Sequence, residues 1–284
     1  MIPKIIHSRS QLKCHLNEYE DGARSLFVLA DTYPELFNFH CDKIVQPAPR
    51  GWRVSKGGKM KYLWFPPGSL GTEDITRIEE WKKHFEQYVL IGLSRNIAEA
   101  FDRELDFCMG LSFARPSPES KERTTLGEAL YQAKYQSSER HLNVITTAMV
   151  EAFEFLPIPP NEKPNLMVTG VPSDASKPNF GRELAASVAK DRELPFTPSH
   201  LSCDKTALKN LSFMEKVKQW CDLYASGQCV TMDADVKGKT VIIIDDLCQS
   251  GITLWCYAMY LKNLGAKYVL GLVCVKSLRD TDNQ

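Results

Sequence analysis

The apolar positions of the C-terminal half follow two rhythms. Unbroken runs bounded by turn residues alternate with stretches whose apolar positions recur every three or four residues. The runs are Asn165 to Pro172 (NLMVTGVP), Val241 to Ile244 (VIII) and Tyr268 to Val275 (YVLGLVCV). Such runs are expected of strands covered on both faces. Phe196 to Cys203 is a further strand candidate. Helices are predicted over Leu126 to Tyr135, Glu139 to Phe155, Phe180 to Asp191 and Leu211 to Ala225. Leu142, Ile145, Met149 and Phe153 share one face of the second; Leu184, Ala185 and Val188 point inward from the third. Thr125 with Glu128 three residues later reads as a capping box. After Ile244, residues Leu254, Tyr257, Ala258, Leu261 and Leu264 return at helical spacing, and Gly265 can end that helix. Strands alternating with helices predict an α/β fold, a parallel twisted sheet flanked by helices.

The first 120 residues carry weaker signals and predict an additional N-terminal α+β region. Ser25 to Ala30 (SLFVLA) and Lys61 to Phe65 (KYLWF) read as short strands. Between them lies a turn-rich basic segment from Pro47. Thr72 to Asp106 reads as one or two helices, with Ile75, Ile78, Trp81 and Phe85, then Ile97, Phe101 and Leu105, at helical spacing. Arg50, Trp52, Arg53, Lys56, Lys59, Lys61, Tyr62 and Trp64 mix cations with rings. That mixture suits stacked bases and phosphates, or a solvated basic hairpin with its Trp residues in the core. Ala114 to Arg123, with Pro116 and Pro118, is the best linker. The expected division is residues 1–120, a hood or accessory region, and 121–284.

The chemistry concentrates in residues 241–253, VIIIDDLCQSGIT. Two acids, Asp245 and Asp246, follow four apolar β-formers, and a small polar loop leads into a helix. In open parallel sheets ligands bind at that end of the strands. Ser250 and Gly251 at a helix N-terminus offer backbone N–H groups and a positive dipole end to an anion. The carboxylates suit hydroxyl donors or a metal. The combination describes a pocket for a sugar phosphate. Gly238-Lys239-Thr240 resembles the end of a nucleotide-binding P-loop, but it precedes a strand and Asp233 stands where the first Gly belongs.

This stretch resembles the 5-phosphoribosyl 1-diphosphate (PRPP) motif of type I phosphoribosyltransferases. Asp245 and Asp246 match its acids, and Ser250, Gly251 and Thr253 its loop; Gln249 stands for the usual first Thr, and Ile252 for a smaller residue. Residues 122–280 resemble the ComF-like branch, through LGEALYQAKY (126–135), VTGVPSD (168–174), NFGRELAASVA (179–189) and KYVLGLVCVKSLRDT (267–281). The Cys-rich zinc module usual in that branch has no counterpart, and Lys177 to Gly181 only approximates its Arg-Gly-Phe-Asn signature.

The resemblance implies the type I phosphoribosyltransferase fold and transfer of a phosphoribosyl group to or from a nitrogenous base. It implies that Gln249, Ser250, Gly251, Ile252 and Thr253 hold the 5′-phosphate and that Asp245 and Asp246 accept from the ribose hydroxyls. Mg²⁺ would bridge substrate oxygens, with those acids taking an indirect part. Pro172, Ser173 and Asp174 would meet the pyrophosphate, and a mobile loop, Lys205 to Lys218, would close over it. Lys205, Lys209 and Lys216 are candidates to neutralise the leaving group. The implied ligands are PRPP or a nucleoside monophosphate, with a homodimer as one candidate assembly. A sensor that keeps the pocket without turnover, and a separate activity in residues 1–120, are the alternatives.

Composition narrows the setting. Lys+Arg and Asp+Glu both number 35, so net charge offers no case for nucleic acid or membrane, though nucleic acid stays open as a partner. No apolar run approaches the ~20 residues that cross a bilayer. The nine cysteines form no C-x-x-C pair, and with no secretory signal they read as reduced thiols in a cytoplasm.

Overall fold

The computed structural model describes residues 1–5, 9–29, 32–93, 98–99, 101, 105–174, 178–202, 211, 213–227 and 229–278. The N-terminal strands are β1 (Arg9–Gln11), β2 (Cys14–Glu18), β3 (Arg24–Leu29), β4 (Arg53–Val54), β5 (Met60–Phe65) and β6 (Val89–Ile91). Helices α1 (Thr32–His40), α2 (Asp42–Val45) and α3 (Thr72–Gln87) lie between them. Then come β7 (Phe107–Phe113), α4 (Thr125–Tyr135), α5 (Glu139–Phe153), β8 (Leu166–Gly170), α6 (Phe180–Asp191) and β9 (Ser199–Leu201). The chain continues through α7 (Phe213–Ala225), β10 (Val230–Met232), β11 (Thr240–Cys248), α8 (Ile252–Asn263) and β12 (Tyr268–Lys276).

A six-stranded sheet in the order β1-β6-β7-β12-β11-β8 forms the centre. β7, β12, β11 and β8 run parallel, and β6 is antiparallel to both its neighbours. This is the predicted α/β class, a mostly parallel sheet flanked by helices. Alternation along β11 explains the two layers. Ile242 and Ile244 join Leu130, Met149 and Leu184 of α4, α5 and α6. Val241 and Ile243 join Val217, Tyr257 and Leu261 of α7 and α8. β11 is longer than its four apolar residues suggest. It pairs with β12 as far as Cys248 opposite Lys276, so both acids lie within the strand.

The N-terminal region adds a four-stranded antiparallel sheet, β2-β3-β5-β4. Its inner face, with Leu26, Val28, Leu63 and Phe65, packs on Phe37 of α1 and on Trp81 and Phe85 of α3. Residues 1–120 also supply β1, β6 and β7 to the central sheet. The helix expected to continue through Ile91 gives way to β6, because Val89, Leu90 and Ile91 are all buried and pair across the sheet. Residues 199–201 leave the central sheet and pair antiparallel with β10. Among the described residues, no helix is long and apolar enough to cross a membrane.

Candidate phosphoribosyl site

Two strands of the central sheet, β11 and β8, deliver the described predicted site residues to one edge. Asp245 and Asp246 close the C-terminal end of β11, and Gln249, Ser250 and Gly251 form the turn into α8. Gly251 has φ +87°, a left-handed backbone that glycine adopts without strain. A Cβ there would also lie 3.2 Å from the Trp255 ring. Ile252 and Thr253 make the first turn of α8, and Ser250 Oγ accepts from Ile252 N at 3.5 Å. The turn therefore presents the amino end of a helix beside two acids.

The two acids have different surroundings. Asp246 is buried and its carboxylate pairs with Lys134 of α4. Burial works against the Lys134 charge, but the Asp246 carboxylate more than offsets it, and the ammonium is held above its ordinary pKa. Asp245 accepts from the Asp246 backbone N–H at 2.9 Å. The position a Cβ of Gly181 would take lies 3.6 Å from Asp245 Oδ1, so the first turn of α6 packs against this carboxyl. Asn179 caps α6, accepting from Arg182 N at 2.8 Å. As a residue Asp245 is half-buried, but its carboxyl points inward. Burial first, and then the Asp246 charge, push that carboxyl well above the usual carboxylate range.

β8 brings the second loop. Pro172 and Ser173 are buried, and Ser173 bridges to His200 beside β8. Ser173 Oγ is buried with no hydrogen-bond partner among the described residues, a state that a polar ligand would relieve. Asp174 follows at the same strand end. Arg182 stands close by, its Nη1 3.5 Å from His200 Nδ1. Lys205 and Lys209 lie outside the described residues. Lys216 does not sit in a loop: residues from 213 onward form α7, whose Val217, Trp220 and Tyr224 are buried in the core.

Four residues of this edge carry no clear local signal in the sequence: Lys134, Arg182, His200 and Lys276. Lys276 is 2% exposed, and its ammonium donates to the carbonyls of Gln249 (2.6 Å) and Ser277 (2.7 Å). Its charge directly after the YVLGLVCV run was the one hint available, since a lysine closing a buried parallel strand needs partners. Lys134 had none, because α4 reaches Asp246 across 112 residues of sequence. Beside that ion pair lies a cavity of about 320 Å³. Tyr131, Tyr135, Leu247 and Val275 line it, with Arg115 and Arg123 at its wall.

This geometry stands beside a sequence match. Residues 184–281 match the phosphoribosyl transferase domain family. The matched segment, roughly a third of the chain, contains β11, the turn, α8 and β12. Over that segment the chain is similar to phosphoribosyl transferase domains. No curated protein matches the chain. Similar solved structures include a hypoxanthine phosphoribosyltransferase from Staphylococcus aureus, at 12% identity and TM-score 0.33, covering 50% of this chain and 67% of that one. A hypoxanthine-guanine phosphoribosyltransferase from Bacillus anthracis gives 16% and 0.34, covering 52% and 76%. A purine phosphoribosyltransferase from Pyrococcus horikoshii gives 16% and 0.32, covering 49% and 84%. Scores this low leave the fold assignment to the sheet order and the family match.

Proposed function

We propose that the protein binds PRPP and transfers its phosphoribosyl group to a nitrogen nucleophile, or catalyses the reverse. One observation carries this reading: the paired acids at the end of β11 adjoin a glycine turn that opens onto the amino end of α8. In the forward direction the bond from ribose C1 to the diphosphate oxygen breaks and a bond from C1 to nitrogen forms. Positive charge grows on the ring as diphosphate departs with the electron pair. Binding and orientation supply most of the rate in such a step.

Each described residue has a place in it. The turn 249–253 receives the 5′-phosphate through backbone N–H groups and the Ser250 and Thr253 hydroxyls. Asp246, oriented by Lys134, accepts from a ribose hydroxyl, and Asp245 accepts from the other. Ser173, Arg182 and His200 meet the diphosphate. The acceptor occupies the cavity beside Lys134, where Tyr131 and Leu247 offer apolar surface to a flat base. Among the described residues no three ligating side chains cluster for a metal. The two carboxylates nevertheless fit Mg²⁺, which takes one or two from the protein and completes its shell with water and substrate phosphates. A cation there would also favour ionisation of the Asp245 carboxyl. When bound, Mg²⁺ would neutralise the departing diphosphate.

Within this family we assign the chain to the ComF-like branch. The likeness of the LGEALYQAKY segment, which forms α4, supports it. We place the protein in the cytoplasm, where scattered cysteines without a C-x-x-C pair stay reduced. The deciding experiment is calorimetry with PRPP and Mg²⁺, followed by pyrophosphate release with a panel of bases. Saturable binding and release with one base class are expected. Absence of binding overturns the reading; binding without release from any base overturns the transfer step.

A further inference from the structure

The phosphoribosyl reading leaves the outer face of the N-terminal sheet unused. Strand alternation puts His15, Phe27 and Tyr62 side by side on that face, in register across β2, β3 and β5, with Arg53 of β4 opposite Tyr62. Their rings form a column. His15 and Phe27 have centroids 4.8 Å apart at 12°, and Phe27 and Tyr62 are 5.2 Å apart at 26°. The rings cover one another's inner faces, so a base can stack only where the column ends. β2 is an edge strand and His15 is exposed, so the column is open at that end.

Two residues along each strand, the same face carries Lys13, Leu29 and Met60. This row lines a cavity of about 660 Å³ between the N-terminal sheet and the end of the central one. Its cations are Arg9, Lys13, Lys59 and Lys61, and no acid lines it among the described residues. Exposed Arg53 lies beside the column, and the Arg50 guanidinium sits 5.8 Å above the Trp64 ring. Cations thus flank the rings over a span longer than one phosphate.

We propose that this face binds single-stranded nucleic acid. One base caps the ring column at its His15 end, and the strand runs on across the face, its phosphates meeting the cavity at Lys13 and Lys59 and then Arg53 at the Tyr62 end. Stacking on aromatic side chains tolerates any base, since every base has a π-face. The proposal does not rest on the phosphoribosyl reading, because none of these residues touches the turn at 249–253 or the paired acids.

The test is fluorescence anisotropy of the full chain with a short labelled oligothymidylate, at rising salt. Binding should weaken with salt. His15→Ala should lower affinity about tenfold, as expected when one base stack is removed. Arg53→Glu should weaken binding further and flatten the salt dependence, its slope falling by roughly 0.7 for each phosphate no longer neutralised. Both side chains are exposed, so melting temperature should move little. Excess PRPP with Mg²⁺ should leave the oligonucleotide bound. No binding at low salt overturns the proposal, and so does binding that both variants retain in full. Displacement by PRPP, or by thymidine monophosphate at matching concentration, overturns it as well.

Discussion

The two sheets expose their chemistry in different ways. The central sheet is covered by helices on both faces, so its polar side chains can reach a ligand only where its strands end. Asp245, Asp246, Ser173 and Lys276 all lie there. The N-terminal sheet is covered on one face, and its other face carries His15, Phe27 and Tyr62 along the strands. A parallel sheet buried twice makes a crevice; an antiparallel sheet buried once makes a surface. The first suits a small phosphorylated sugar, the second an extended chain.

Core substitutions should separate the sheets most strongly. Ile243→Ala, at a fully buried position of β11, should cost about 2–5 kcal/mol in chemical denaturation, through reduced burial and the cavity left behind. A smaller effect would mean that the central sheet is less tightly packed than its two cores imply. Next comes Asp246→Asn, which should weaken PRPP binding by about 1–3 kcal/mol in calorimetry. It exchanges a charged acceptor for a neutral one and removes the partner of Lys134. Unchanged affinity would take the sugar away from this end of β11.

The pH response of Asp245 sharpens the same contrast. Its folded-state pKa is raised, so the folded chain holds that proton more tightly than the unfolded one does. Its contribution is fully present below the ordinary carboxylate pKa and is lost as pH rises through the folded value. Asp245→Asn should therefore flatten the decline of melting temperature on the alkaline side of the ordinary carboxylate range. PRPP with Mg²⁺ should release a proton on binding, visible as calorimetric heats that differ between buffers. The smallest effect belongs to the open surface: His15→Ala should shift stability by no more than about 0.5 kcal/mol, although it weakens oligonucleotide binding.

The same contrast decided what the sequence could reveal. NLMVTGVP, VIIIDD and YVLGLVCV are continuous because both faces are buried, and their strands were legible, although β11 runs on to Cys248. RSLFVL was legible as a strand from its apolar run. CHLNE alternates over five residues, with exposed His15 and Asn17 on its outer positions; so short and mixed a segment resembles a loop, and β2 gave no readable signal. KYLWF was legible as a strand, but its pairing partners lie far away in sequence. Asp245, Asp246 and the 249–253 turn are one contiguous motif and could be found by eye. Lys134 and His200 reach the same edge only through the packing of α4 and the bridge to Ser173, which no local spacing encodes.

Lys276 braces this arrangement. Its ammonium grips the Gln249 carbonyl, while the next residues are held from both sides: Ser277 N donates to Cys248 O, and Arg9 Nη1 donates to Leu278 O. One short piece of backbone thus ties the turn before α8, β12 and β1 into a single knot. Exchanging Lys276 for Met would fill the same space and leave the turn without its tether, so the hinge between strand and helix would slacken while the sheet beneath stayed whole.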